Sequence, residues 1–121
     1  MTHRMVPIIL TEEDKTLTAA LKANKVAKDV RILRKQENKK GDWKVFMFEL
    51  LYEVQEKDQF GNTLRTIMTN RYTTVEVRPP FLGGRNQLHE SQNTRESRKI
   101  AEDAFDYICS QMEKYETRGH L

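Results

Sequence analysis

The sequence has little of the chemistry that marks a catalytic or metal-binding site. Its 121 residues include one cysteine, Cys109, which excludes an intramolecular disulfide and any zinc site built from several cysteines. Because Cys109 falls on or beside the apolar stripe of a predicted helix, we expect a buried structural thiol. The three histidines lack the spacing of metal ligands. We therefore expect no metal, no cofactor and no catalytic residues, and a protein that is not an enzyme.

Long hydrophobic runs are also missing. No apolar stretch approaches the roughly 18 residues of a membrane-spanning helix. The run at residues 5–10 is too short for a signal peptide and lacks its small-residue cleavage site. We expect an intracellular, cytoplasmic protein without a membrane partner. The length indicates a single domain over residues 1–121, and the pattern of elements described below makes it α+β. Residues 1–3 and a tail at 117–121 are predicted to be flexible.

The most hydrophobic stretch is WKVFMFELLYEV at residues 43–54. Strict alternation of apolar residues over this length predicts a central strand with one buried face. That face carries Phe46, Phe48, Leu50, Tyr52 and Val54. The opposite face mixes apolar residues with Glu49 and Glu53, so we expect it to be open and to carry the function.

The rest of the chain predicts the order β-α-β-β-β-α, with an antiparallel sheet and two helices packed on one face. Thr11 and Asp14 form a capping box at the start of the first helix. Residues 29–35 are predicted as a strand, and a longer first helix through Leu33 is the alternative. The other predicted elements are an edge strand or extended lead-in at 4–10, a first helix ending near 24–28, strands at 43–54 and 63–77, and a second helix at 94–116.

Three local features complete the predicted fold. Imperfect alternation in the strand at residues 63–77 predicts a bulge near residues 70–74. Residues 78–93 are predicted as a long loop without secondary structure, and such loops are mobile or functional. Asn93 and Glu96 are predicted to form the capping box of the second helix.

The net charge of +3 is unevenly distributed. Residues 22–44 hold nine basic and three acidic side chains and include Trp43. Clustered Lys and Arg bind phosphate backbones, and aromatic rings among them stack on bases, so this block favours a nucleic-acid partner. The alternative is a lysine-rich surface that maintains solubility and protects an edge strand.

The helix that opens TRESRKIAEDAFDYI, together with the α-β-β-β-α order, resembles a distant double-stranded RNA-binding domain. In that family the basic start of the last helix contacts phosphates, and the loop between the first two strands enters a minor groove. The resemblance implies that Arg98 and Lys99 contact phosphate, and that Lys39 and Lys40 lie in the groove-facing loop.

The sequence as a whole predicts a non-enzymatic domain that binds nucleic acid, RNA rather than DNA, through basic residues and an open sheet face. The alternative is a protein-interaction module, such as a small inhibitor or assembly factor, that binds an acidic protein. Glu49 and Glu53 are predicted to pair with Arg65 or Arg71 across strands. The predicted nucleic-acid-binding residues are Arg31, Lys35, Lys39, Lys40, Trp43, Arg65, Arg71, Arg98 and Lys99.

Overall fold

The computed structural model of the protein describes residues 11–117. Over this range the chain is α+β, in the order α-β-β-β-β-α. The elements are α1 (Glu12–Lys25), β1 (Asp29–Glu37), β2 (Lys44–Lys57), β3 (Thr63–Val77), a 3-10 helix (Pro80–Leu82), β4 (Asn86–His89) and α2 (Ser97–Thr117). The predicted edge strand or lead-in at 4–10, the predicted flexible residues 1–3 and residues 118–121 of the predicted tail lie outside the described residues. No helix among residues 11–117 is long and apolar enough to cross a membrane.

Helix α1 begins with the predicted capping box. Asp14 N–H donates to Thr11 Oγ1 at 3.2 Å, and Thr11 N–H donates to Asp14 Oδ2 at 3.0 Å. The buried Asp14 carboxylate also accepts a hydrogen bond from Lys35 Nζ of β1 at 2.6 Å. Burial alone would raise the pKa of Asp14, but the hydrogen bonds from Lys35 and Thr11 outweigh burial and lower the pKa below its ordinary value. One carboxylate therefore both caps α1 and ties it to the sheet.

Helix α1 ends at Val26, which takes the left-handed conformation with φ 53° and ψ 36°. This conformation is favourable for glycine and strained for a β-branched residue. Val26 is also 85% exposed, so its side chain gains little from packing. The helix stops here because the left-handed turn directs the chain into β1.

The four strands form one antiparallel sheet in the order β1-β2-β3-β4. The prediction of a featureless loop at 78–93 is wrong, because β4 lies inside it and pairs with the end of β3. The predicted bulge near 70–74 is also wrong, since pairing there is regular. The irregularities lie instead between Ile32 and Arg34 and between Glu56 and Lys57.

The sheet is covered on both sides, so the prediction of two helices on one face is wrong. Phe46, Phe48 and Leu50 of β2 lie in one buried cluster with Leu21 of α1. We call this side of the sheet the α1 face. The intervening residues of β2 lie in a second cluster with α2, on the α2 face. This cluster contains Trp43, Val45, Met47, Ala101, Phe105, Ile108 and Met112. The cause is that β2 is apolar on both faces, and each helix has only one apolar stripe.

Helix α2 is fixed to the sheet by two hydroxyl groups. Thr74 Oγ1 donates to the carbonyl of Ala101 at 2.6 Å, and Ser97 Oγ accepts from Tyr72 N–H at 2.8 Å. The predicted capping box of α2 is wrong, because the helix begins at Ser97 and Asn93 Oδ1 accepts from Arg95 N–H instead. Cys109 is half-buried beside the second cluster, where burial raises its pKa.

The left-handed residue at the end of α1 gives a first prediction. Val26→Gly should raise the free energy of unfolding by about 1 kcal/mol, because glycine adopts this conformation without a steric penalty. Denaturant unfolding measures the change. The control is Ala23→Gly inside α1, which should lower stability by about 1 kcal/mol. A loss of stability in Val26→Gly would contradict the strain argument.

The Asp14–Lys35 contact predicts a pH dependence. The pKa of Asp14 is lower in the folded state, so its contribution is present above about pH 4 and is lost as pH falls through the folded-state pKa. Asp14→Asn should therefore cost about 1–3 kcal/mol at neutral pH and much less in acid. Urea unfolding of both proteins across pH tests this. A difference in unfolding free energy between the two proteins that is constant with pH would exclude the ion pair as its cause. The control is Glu12→Gln, at an exposed residue of the same helix.

The two-sided core predicts that neighbouring residues of β2 are both indispensable. Phe46→Ala should cost about 3–5 kcal/mol and Met47→Ala about 2–5 kcal/mol, because each leaves a cavity on a different face. Thermal or denaturant unfolding gives both values. Met68→Ala is the matched control, since Met68 is 51% exposed and its loss should change stability little. A negligible effect of Met47→Ala would indicate an open α2 face.

Candidate functional site

Strands β2 and β3 extend beyond both of their neighbours. The β1 pairing ends at Asp29 opposite Leu51, and the β4 pairing ends at His89 opposite Thr74. Further out, β2 and β3 pair only with each other, as far as the turn that joins them. We call residues 52–71 the arm. Six residues of strand give it a length of about 20 Å.

The arm carries exposed apolar side chains on a ribbon that has only two strands. Phe60 at its tip is 80% exposed, Leu64 67%, Met68 51% and Val54 40%. Two-stranded ribbons are marginally stable in water unless something packs against them. Large apolar groups gathered on one projection indicate a surface that is covered when the protein functions.

The tip of the arm is held by Asp58. Its Oδ1 accepts from Phe60 N–H at 2.8 Å and from Asn62 N–H at 2.9 Å. The hydrogen bond from Asn62 is the largest cause of the lowered pKa of Asp58, with further contributions from Phe60 and Gly61. Gly61 takes φ 84°, a value that favours glycine. The turn therefore presents Phe60 in a defined position.

The charges of the arm balance each other. Residues 52–71 contain three acidic and three basic side chains. Arg65 Nη2 donates to Glu56 Oε1 at 3.1 Å, and Glu53 pairs with Lys28 at 2.9 Å. The predicted pairing of Glu53 with Arg65 or Arg71 is wrong, because those arginines lie on the other face of the sheet. Without a net charge, the arm gives no electrostatic preference for an acidic partner.

On the α2 face, a polar cluster lies where the arm meets the sheet. Glu49 pairs with Arg31 and accepts from Tyr72 Oη at 3.0 Å. The hydrogen bond from Arg31 is the largest cause of the lowered pKa of Glu49, and Tyr72 adds to it against burial. Arg98 lies over the Tyr72 ring, 5.3 Å from its centroid, and its Nε donates to Glu102 at 2.9 Å. The structure thus brings Arg31 and Arg98 together, and the predicted pairing of Glu49 with Arg65 or Arg71 is wrong, because its cationic partner is Arg31.

On the α1 face, Arg71 lies beside a cavity of about 330 Å³. Its guanidinium is 5.9 Å from the centroid of the Tyr52 ring. The wall of the cavity contains Glu90, which pairs with Lys25 and accepts from Thr73 Oγ1 at 2.6 Å. Burial would raise the pKa of Glu90, but these hydrogen bonds outweigh it and lower the pKa. In the cavity wall, Lys25 and Glu90 therefore neutralise each other, while Arg71 lies over the Tyr52 ring.

The bulge in β1 places two of the predicted nucleic-acid-binding cations on opposite faces of the sheet. Ile32 pairs with Phe48, but Arg34 pairs with Met47, so Leu33 is an extra residue. As a result Arg31 lies on the α2 face and Lys35 on the α1 face. An inserted residue reverses the side-chain alternation beyond it, and the sequence pattern of β1 did not reveal where the insertion lies.

The remaining predicted residues are dispersed and mostly paired. Trp43 is 2% exposed and its Nε1 donates to Glu76 at 2.9 Å, so it cannot stack on a base. Lys40 Nζ lies 3.9 Å from Asp42 Oδ2, and Lys99 Nζ lies 3.1 Å from Asp103 Oδ2. Lys39 contributes its backbone N–H, which donates to Glu116 at 2.8 Å. These residues do not join into one cationic surface.

Comparison with known proteins adds no functional assignment. No protein-family model matches the chain, and no curated protein sequence or solved structure is significantly similar to it. The resemblance to a double-stranded RNA-binding domain therefore stays a prediction. The assignment of a functional site depends on the chain's own geometry, in which the arm gathers four of the exposed large apolar side chains of residues 11–117.

Proposed function

We propose that the protein is a non-enzymatic protein-interaction module that binds a partner protein through the arm by strand addition. The observation that carries the proposal is the exposure of Phe60, Leu64 and Met68 on a ribbon with free edges. Added strands form backbone hydrogen bonds with such an edge, and apolar side chains on its faces provide specificity. A partner would supply the packing that a two-stranded ribbon lacks.

The charge pattern supports a protein partner over a nucleic acid. Binding to a phosphate backbone depends on cations that exchange counterions for phosphates. In the described chain, two arginines at the base of the arm already pair with carboxylates, Arg31 with Glu49 and Arg98 with Glu102, while Arg71 lies over the Tyr52 ring. Breaking those pairs would offset the gain from phosphate contact. An apolar arm of balanced charge matches the composition of protein interfaces better.

Photo-crosslinking distinguishes the two classes of partner. We expect benzoylphenylalanine in place of Phe60 to form a discrete protein adduct in extract from cells that naturally express the chain. The same substitution at Tyr107, which is 65% exposed on α2, is the control and should not form that adduct. A nuclease-sensitive adduct at Phe60 would indicate RNA or DNA as the ligand. Equal adducts at the two positions, or none at Phe60, would remove the arm as the binding site.

A further inference from the structure

The outer edge of β3 in the arm is free over a defined length. Tyr72 N–H donates to Ser97 Oγ at 2.8 Å, so the start of α2 closes the edge at that residue. Backbone groups of alternate residues point to the same side of a strand. The groups of Thr66, Met68 and Asn70 therefore point outward with those of Tyr72. The regular alternation ends at Arg65, because Leu64 is an extra residue at the irregularity opposite Glu56 and Lys57.

This edge is the least protected of those in the sheet described. Five of the nine residues of β1 are charged, and β4 has only four residues. The β2 side of the arm has Glu53, Glu56 and Lys57. Between Leu64 and Asn70, by contrast, the single charged residue is Arg65. Long edges without charged residues are templates for pairing with another strand.

We propose that this edge pairs with the same edge of a second copy of the chain, so that two arms join into one four-stranded antiparallel sheet. The inference rests on the proposed function, because it names the partner of the arm. The two-fold axis lies midway between Ile67 of one copy and Ile67 of the other. Thr66 then lies opposite Met68 of the second copy, and Arg65 lies opposite Thr69 of the second copy. The pairing is centred on the regular part of the free edge and extends from residue 65 to residue 69.

Side-chain complementarity selects this register. Val54 pairs with Ile67 inside one arm, so the two-fold places Val54, Ile67, Ile67 and Val54 in one row across the four strands. Ile67 faces its copy in a non-hydrogen-bonded pair, where side chains approach most closely. Moving the axis to Met68 would place Arg65 opposite Arg71 of the second copy, and these two positive charges would repel each other. Moving it to Thr66 would place Arg65 opposite Ile67 and break the apolar row.

Charge reversal at the paired positions tests the register. In Thr66→Lys/Met68→Lys, two lysines oppose each other twice across the axis, so we expect a monomer. In Thr66→Glu/Met68→Lys, each glutamate faces a lysine, so we expect a dimer that weakens in salt. Both variants place the same new lysine opposite Glu53 of their own arm, and they differ only at residue 66. Sedimentation velocity over a concentration series measures the mass, and circular dichroism checks that both variants fold.

Cysteine crosslinking gives an independent measurement. At a non-hydrogen-bonded pair the Cα atoms are about 4.5 Å apart, within the range that a disulfide bridges. We expect Ile67→Cys/Cys109→Ser to form a covalent dimer with diamide as oxidant. The control Val54→Cys/Cys109→Ser should not, because its two cysteines lie three strand spacings apart, about 14 Å.

The outcomes separate this inference from the proposed function. A monomeric wild-type chain overturns self-pairing, as does a dimer that persists in Thr66→Lys/Met68→Lys, a monomer in Thr66→Glu/Met68→Lys, or no Ile67→Cys disulfide. If self-pairing fails while the Phe60 probe still captures a different protein, the interaction function stands with another partner. If the probe also captures nothing, both proposals fail. If the dimer and its disulfide form as expected, the Phe60 adduct should contain a second copy.

Discussion

Strand β2 determines the architecture because its inner half is apolar on both faces. Phe46 and Phe48 need cover on one side of the sheet, and Val45 and Met47 need it on the other. A single layer of helices cannot satisfy both, so α1 and α2 lie on opposite faces and the sheet forms the middle layer. The hydroxyls of Thr74 and Ser97, and the carboxylate of Asp14, then fix where each helix docks. Solvent reaches both faces of β2 only beyond Leu51, where the helices no longer cover it.

The positions of the charged residues on the sheet follow from the same three-layer arrangement. Once both faces are covered, a cation on the sheet must lie at a rim, at an edge or against a carboxylate of the covering helix. Lys35 pairs with Asp14 of α1, and Arg34 pairs with Asp106 of α2 while its guanidinium lies 4.1 Å from the Phe105 ring centroid. The basic block of the sequence is thus divided between two faces and used to fasten helices. Such contacts orient elements more than they stabilise them, because most are exposed to solvent.

Much of the fold could be predicted from the sequence, because capping and β-propensity depend on residues that are close together in the chain. The Thr11–Asp14 box defined the start of α1, and strong β-propensity gave Thr63–Val77 its observed bounds. The buried face with Phe46 and Phe48 was predicted, but the cover on the opposite face was missed, because Glu49 and Glu53 suggested an open surface there. β4 was missed because NQLH is short and polar. The arm had one available signal, namely that the predicted strand at 63–77 was twice as long as that at 29–35, so one partner had to overhang.

The chain consists of two parts with separate constraints, the layered core and the arm. Residues 52–71 add little to the buried clusters, whereas every strand segment between the helices is buried by them. Adding two residues to each strand of the ribbon would lengthen its reach by about 7 Å and keep every side chain on its present face. Adding one residue to each would reverse the faces beyond the insertion. Natural variation in the ribbon should therefore occur in steps of two per strand, with binding preference changing while the scaffold stays the same.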